Sequence, residues 1–177
     1  MEVILTHKPF DRIECPVATV PFFSDRFPLK AAAGLVDWRL NGRVSGLVAK
    51  EKLVGTSGEC LIMPTEGRLK AQALMFYGLG PSALWQSSRA EAHFLPWIEK
   101  LQGLKQDTWL LSLNNLSDDF LVWRQYLRIF VHAVAHRSQS SCRRLFISAP
   151  DAWVLEVKKR QMDLGEGINL SFDLSPA

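Results

Sequence analysis

The sequence predicts an α/β domain: a mixed, mostly parallel sheet of six to seven strands in a three-layer arrangement, with helices on both faces. Three observations carry this prediction. Residues 73–77 are apolar, carry no charge and stop at Gly78-Leu79-Gly80-Pro81, the pattern of a strand buried on both faces and released by a tight turn. Apolar stripes at steps of three and four alternate along the chain with short apolar runs, which is the order of a layered α/β fold. With 177 residues, 47% of them hydrophobic and 22% charged, the chain suits one domain that buries roughly 70% of its unfolded surface and needs no metal or disulfide to fold.

Residues 3–5 and 17–23 read as the first two strands, separated by the charged turn 8–14. Pro16 and Pro21 flank the second and predict an edge position, where a missing N–H is harmless. Asp25-Arg26-Phe27-Pro28 opens a helix, since proline suits a first turn. Leu29, Ala33, Val36, Leu40, Val44 and Leu47 form one amphipathic stripe running to about Lys50. Gly34, Gly42 and Gly46 each cost about 1 kcal/mol inside a helix, which predicts close backbone packing against the sheet. A loop at 55–58 precedes a third strand at 59–63, and a turn at 66–68 leads into the glycine-ended strand.

Ser88-Arg89-Ala90-Glu91 has capping-box spacing, with Ala90, Phe94, Trp97 and Leu101 on the buried side and a kink or restart expected at Pro96. Residues 109–113 form another buried strand. Ser117 caps a long helix, with Leu116 and Leu121 placed as a staple and Phe120, Trp123, Leu127, Phe130 and Val134 as its core stripe. Residues 145–147 are a strand, and Ser148-Ala149-Pro150-Asp151 caps a last helix ending near Gly165. Ile168, Leu170, Phe172 and Leu174 alternate with polar residues, a half-exposed strand at the sheet's edge.

A net charge of +3, from 21 basic and 18 acidic residues, argues by itself neither for nucleic acid nor for a membrane. Cys15, Cys60 and Cys142 are far apart and odd in number, so reduced, mostly buried thiols in a cytoplasmic protein are expected. The first eight residues lack a signal peptide's basic end and long apolar centre, and no stretch approaches the roughly 18 apolar residues of a membrane helix.

Several segments in order resemble the N-terminal domain of the leucyl aminopeptidase family. Ala31-Ala32-Ala33-Gly34-Leu35 with Asn41-Gly42 is similar to that family's first long helix. Gly55-Thr56-Ser57-Gly58-Glu59, running through Cys60-Leu61-Ile62-Met63 into Pro64-Thr65, resembles its Gly-x-x-Gly-Glu strand entry. Phe76-Tyr77-Gly78-Leu79-Gly80 stands where the family carries a hydrophobic strand ending in Gly-Leu-Gly. Val54 replaces the aromatic residue usual before the glycine loop, and Pro81 stands where a lysine or polar residue is commoner. The resemblance implies a macro-domain-like fold, a class that elsewhere holds ADP-ribose. It also implies that peptidase chemistry belongs to a C-terminal domain with two divalent metals. This chain has no Asn-Thr-Asp-Ala-Glu-Gly-Arg stretch and is expected to stop where that domain would start.

Gly78-Leu79-Gly80-Pro81-Ser82-Ala83 has the Gly-x-Gly-x-x-Ala spacing by which backbone amides cradle phosphate, although Pro81 removes one amide. Gly78, Leu79, Gly80 and Ser82 are therefore the candidate site for a nucleotide or ADP-ribose-like ligand, against a turn that merely lets backbones pack closely. Arg124, Arg128, His132 and His136 follow at steps of four and share one helix face, a solvated ridge or an anion-binding one, extended by Arg137, Arg143 and Arg144. Some aminopeptidases of the resembled family act on DNA, which adds weak nucleic-acid binding through Arg124, Arg128 and His132 as an alternative.

His132 and His136 have the spacing of a helical zinc pair, but Ala133 stands where a metalloprotease carries glutamate. Asp118-Asp119, the adjacent acidic pair, reads as helix capping. Cys142, before Arg143-Arg144, is either an inert buried thiol or one activated by charge. Trp85, just after the glycine turn, is a packed loop residue or a pocket wall, and Trp38 likewise fits no core stripe. The leading expectation is a non-catalytic binding or regulatory domain, with no cofactor or metal, that engages a protein partner or a second copy of itself.

Overall fold

Strand-forming runs and helical stripes assemble as a layered sheet in the computed structural model, which describes residues 1–137 and 141–175. The strands are β1 (Glu2–Thr6), β2 (Val17–Phe22), β3 (Cys60–Pro64), β4 (Ala73–Gly78), β5 (Thr108–Leu111), β6 (Arg144–Ser148) and β7 (Asn169–Asp173). Among the described residues these seven form one sheet in the order β3-β4-β2-β5-β6-β1-β7, parallel throughout except for β3 against β4. The helices are α1 (Ala31–Arg39), α2 (Arg43–Ala49), α3 (Ala90–Gly103), α4 (Phe120–Ala135) and α5 (Asp151–Lys159).

Alternation along each strand sends side chains to two cores. On one face Val17, Met75, Tyr77, Trp109, Leu111 and Ile147 pack beneath α3, α4 and α5. On the other, Ala18, Val20, Leu74, Phe76 and Leu110 pack beneath α1 and α2. Trp97 of α3 is fully buried, stacks on Tyr77 with ring centroids 5.6 Å apart, and donates its indole N–H to the Thr19 hydroxyl at 2.8 Å. As expected, β4 is buried on both faces and β7 lies at an edge.

Several sequence expectations give way to specific contacts. The second strand, β2, is central rather than at the edge. Pro21 is tolerated because β5 pairs with β2 only as far as Thr19, and the Pro21 carbonyl instead accepts from the Asn115 side-chain amide. The helix expected over 28–50 is two. It starts at Ala31, breaks at Asn41 (φ 55°) and Gly42 (φ 73°), and restarts where the Asp37 carboxylate accepts from the Val44 and Ser45 amides at 2.9 and 3.0 Å. Nor do its glycines pack on the sheet: a methyl group on Gly34 would meet the Leu29 carbonyl, and one on Gly46 would meet nothing within 4 Å.

At α3 no side chain caps the first turn, so the Ser88 box is not formed, and the helix runs through Pro96 without a restart. Asp119, not Ser117, caps α4, accepting from Leu121 and Val122 amides at 2.7 and 3.0 Å. Leu121 is 57% exposed and closes no staple. The last helix ends at Lys159, well before Gly165, and it has no side-chain cap; Ser148 belongs to β6 and donates to the Lys8 carbonyl.

Thr19→Val leaves the buried Trp97 N–H without an acceptor and is expected to lower unfolding free energy by about 1–3 kcal/mol, measured by urea denaturation. Thr19→Ser should retain most of that stability; equal losses in both variants would show that the hydroxyl is not what matters.

Candidate functional site

The glycine turn leaves β4 into a space with no room for side chains. A methyl group on Gly78 would stand 2.2 Å from the Thr56 carbonyl oxygen and 2.7 Å from the Gly55 carbonyl carbon. The loop before β3 is wrapped around it: Gly78 donates to the Glu59 carbonyl, Gly80 to that of Gly55, and Gly58 donates back to Gly78, all at 2.8–3.0 Å. The Glu59 carboxylate holds that loop in shape by accepting from the amides of Val54, Gly55 and Thr56. Leu79 donates to the Phe22 carbonyl at 2.9 Å. Every amide from Gly78 to Gly80 is therefore spent on backbone, and the turn does not offer the phosphate cradle that its spacing suggests.

The turn instead fixes its neighbour. The Ser82 amide and hydroxyl donate to the two oxygens of Asp25, at 2.9 and 3.0 Å, and Ser24 donates to the Gly80 carbonyl. The Ser82 amide holds the Asp25 carboxyl below the ordinary aspartate value. The segment from Ser24 to Lys30, between β2 and α1, is thereby pinned over the carboxyl end of the sheet.

Beside it opens a cleft of about 490 Å³. Its position follows from topology. After β2 the chain passes to α1 in one helical layer, while after the adjacent β5 it passes to α4 in the other, and such a divergence leaves a crevice at the strands' carboxyl ends. Phe22, Phe27, Arg26 and Lys30 line one side, Asn114, Asn115 and Asp118 the other. The Arg26 guanidinium lies 4.7 Å over the Phe23 ring, and the rings of Phe22 and Phe27 meet edge to face at 6.5 Å. α1 begins at the cleft after Lys30 with no side chain capping its first amides.

Asn115 is the most informative lining residue. Its bond to the Pro21 carbonyl sets which end of the carboxamide is nitrogen, so the buried Oδ1 is an acceptor, and no group donates to it among the described residues; the same holds for Oδ1 of Asn114. Buried acceptors without donors are uncommon in folded proteins.

The ridge of α4 sits elsewhere, lining a groove of about 740 Å³ between α3 and α4 with Arg124, Arg128, His132, His136 and Arg137. His132 is half-buried beside Gly165 and stacks on His136 at 5.2 Å. Arg144 does not extend the ridge, because it points from β6 to the opposite face of the sheet, beside Cys15 and Phe146. Among the described residues no three His, Cys, Asp or Glu side chains stand ready to hold a metal ion. Burial pushes the Cys142 thiol up to about 12, so the neighbouring arginines do not activate it. Trp85 is packed, edge-on to Phe23 and Tyr126, with its N–H on the Tyr126 hydroxyl. Trp38 is 68% exposed beneath Arg39. No helix among the described residues is long and apolar enough to cross a membrane.

Asp25, Arg26, Phe27, Lys30 and Asn115 line the candidate cleft without belonging to any sequence motif. The available signal was two polar clusters, 24–30 and 114–119, each closing an apolar strand.

Comparison with known proteins agrees with this architecture. Residues 19–140 match the family described as "Cytosol aminopeptidase family, N-terminal domain". A protein of Sulfurihydrogenibium sp. (strain YO3AOP1) named "Probable cytosol aminopeptidase" is 30% identical over 116 residues, covering 64% of this chain and 23% of that protein. The chain thus spans about a quarter of that relative's length. Among solved structures, a tomato leucine aminopeptidase mutant superposes with a TM-score of 0.61 at 12% identity, over 91% of this chain and 35% of that one. The macrodomain of Thermus aquaticus DarG gives 0.61 at 8% identity, over 84% and 98%. Both likenesses concern the fold.

Two outcomes test this geometry. Gly78→Ala should cost at least about 1–3 kcal/mol through overpacking, read by thermal and urea unfolding. Because folding depresses the Asp25 value, its contribution to stability is complete above the unfolded carboxyl value and is lost as pH falls through the folded one. An NMR titration should find Asp25 below ordinary aspartates, and Ser82→Ala should move it only part of the way back, since the Ser82 amide still donates.

Proposed function

This chain belongs to the cytosol aminopeptidase family as its N-terminal domain, and from that premise we propose that it is a non-catalytic binding domain whose ligand occupies the cleft between β2 and β5. The ligand chemistry is that of a nucleotide or an ADP-ribose-like molecule. The observation that carries this reading is the Asn115 carboxamide, an oriented and buried acceptor without a donor at the switch point of the sheet.

The remaining lining groups agree in kind. A purine's exocyclic amine is the donor that Asn115 Oδ1 lacks, and the Phe22 and Phe27 rings supply an apolar wall for its face. Lys30, Arg26 and the open amides of α1 favour a phosphate at the other end. The Asp118 carboxylate accepts from a ribose hydroxyl. Amide, aromatic and basic side chains of this kind recognise and hold a ligand, whereas covalent catalysis calls for a nucleophile paired with a base. Peptidase activity, stated in the relative's name, belongs in this reading to the larger part of that relative beyond the 23% covered here. We assign the domain to the cytoplasm.

The test is an NMR titration of the full chain with ADP-ribose and with AMP, together with a leucyl-amide assay in manganese. Shifts confined to residues 26–31 and the Asn115 side chain, weakened at least roughly tenfold by Lys30→Glu, are expected, with no turnover. Ligand additions that leave these resonances unmoved would refute the cleft, and hydrolysis above background would refute the non-catalytic reading.

A further inference from the structure

The groove between α3 and α4 sets apolar side chains beside basic ones. Leu95, Ile129 and Ala133 contribute apolar lining, and Leu121 continues it at 57% exposure. Along it stand Arg124 and Arg128, one helical turn apart, so that their Cβ atoms are about 6 Å from each other. No hydrogen bond or ion pair engages either guanidinium among the described residues. Arg137 at the far end differs, being held by Glu99 of α3 at 2.9 Å.

We propose that this groove is a docking site for an acidic amphipathic helix of another protein. Helices bind in grooves by laying apolar side chains on the floor and matching charge at the rim. Two unpaired guanidiniums one turn apart pair with two carboxylates spaced four residues apart on the incoming helix, while its leucine-type residues cover Leu121, Ile129 and Ala133. Charge complementarity selects this occupant. A nucleic acid strand suits the groove less well, because the aliphatic side chains that line it give a phosphate backbone nothing to bind. The proposal is separate from the ligand cleft and stands or falls without it.

The experiment is fluorescence anisotropy with the full chain and three labelled probes, with a fourth peptide for the charge-reversed variant. These are a helical peptide with glutamates at four-residue spacing opposite leucines, a scrambled peptide of the same composition, and a single-stranded oligonucleotide. The patterned peptide should bind at least roughly tenfold more tightly than the scramble, a margin two well-placed charge pairs can supply. Arg124→Glu/Arg128→Glu should abolish that preference, and exchanging the peptide's glutamates for lysines should restore it for the double variant, which also reports that the variant is folded. Equal binding of the two peptides, absence of binding, or binding by the oligonucleotide alone would each overturn the proposal.

Discussion

Between the Thr56 carbonyl and the α-carbon of Gly78 there is no space for a methyl group, and much of the carboxyl end of the sheet is arranged around that contact. The two glycine motifs, 55–59 and 78–80, are separated by a strand and a turn in sequence yet interlock as backbone against backbone. Three hydrogen bonds tie them, and the Glu59 carboxylate closes the first loop over its own amides. A glycine here serves proximity: the loop entering β3 and the turn leaving β4 lie against each other at one end of the antiparallel pair, and any side chain between them would part them. Once the turn is fixed, its remaining donors reach outward, Leu79 to Phe22 and Ser82 to Asp25. The wall of the cleft is thus set by a contact that takes no part in it.

The cleft itself is a consequence of where helices go. β2 and β5 are neighbours, but α1 and α4 lie in opposite layers, so nothing fills the gap above their ends. Pro21 belongs to this arrangement. Facing β5 where β5 has stopped, it has no ladder partner to lose, and its carbonyl is available to orient Asn115. A residue that looks like a strand breaker is in this position the anchor of a side chain in the cleft.

Sequence legibility followed the range of the interactions. Local patterns with strong periodicity were readable: the doubly buried β4, the alternating edge strand β7, the α4 stripe through Trp123, Leu127 and Phe130, and capping as the role of Asp118-Asp119, where Asp119 is the cap. Features decided by a distant partner were not. The break at Asn41-Gly42 depends on the Asp37 carboxylate reaching the amides of the next helix, and the hydrophobic stripe carries on across it as if the helix did. Pro21 reads as an edge signal until its neighbour's length is known. The glycine turn has the spacing of a phosphate cradle, but spacing does not reveal that its amides are already taken by backbone carbonyls. Asn115 carries no motif at all, and its meaning comes from Pro21, 94 positions away.

α4 borders both the cleft and the groove, with Asp118 beside its N-terminus at the cleft and Arg124 and Arg128 further along in the groove. Shared ownership of a helix does not by itself couple two sites; that requires an element with two arrangements of similar energy. α4 has a side-chain cap at its start and seven buried residues along its length, including Phe130, which meets Phe94 and Trp97, and Trp123, which meets Trp153. Close-packed interiors of this kind resist small displacements. The helix therefore acts as a rigid spacer between the cleft and the groove: its packing offers one arrangement rather than two, so the two candidate sites are expected to act independently.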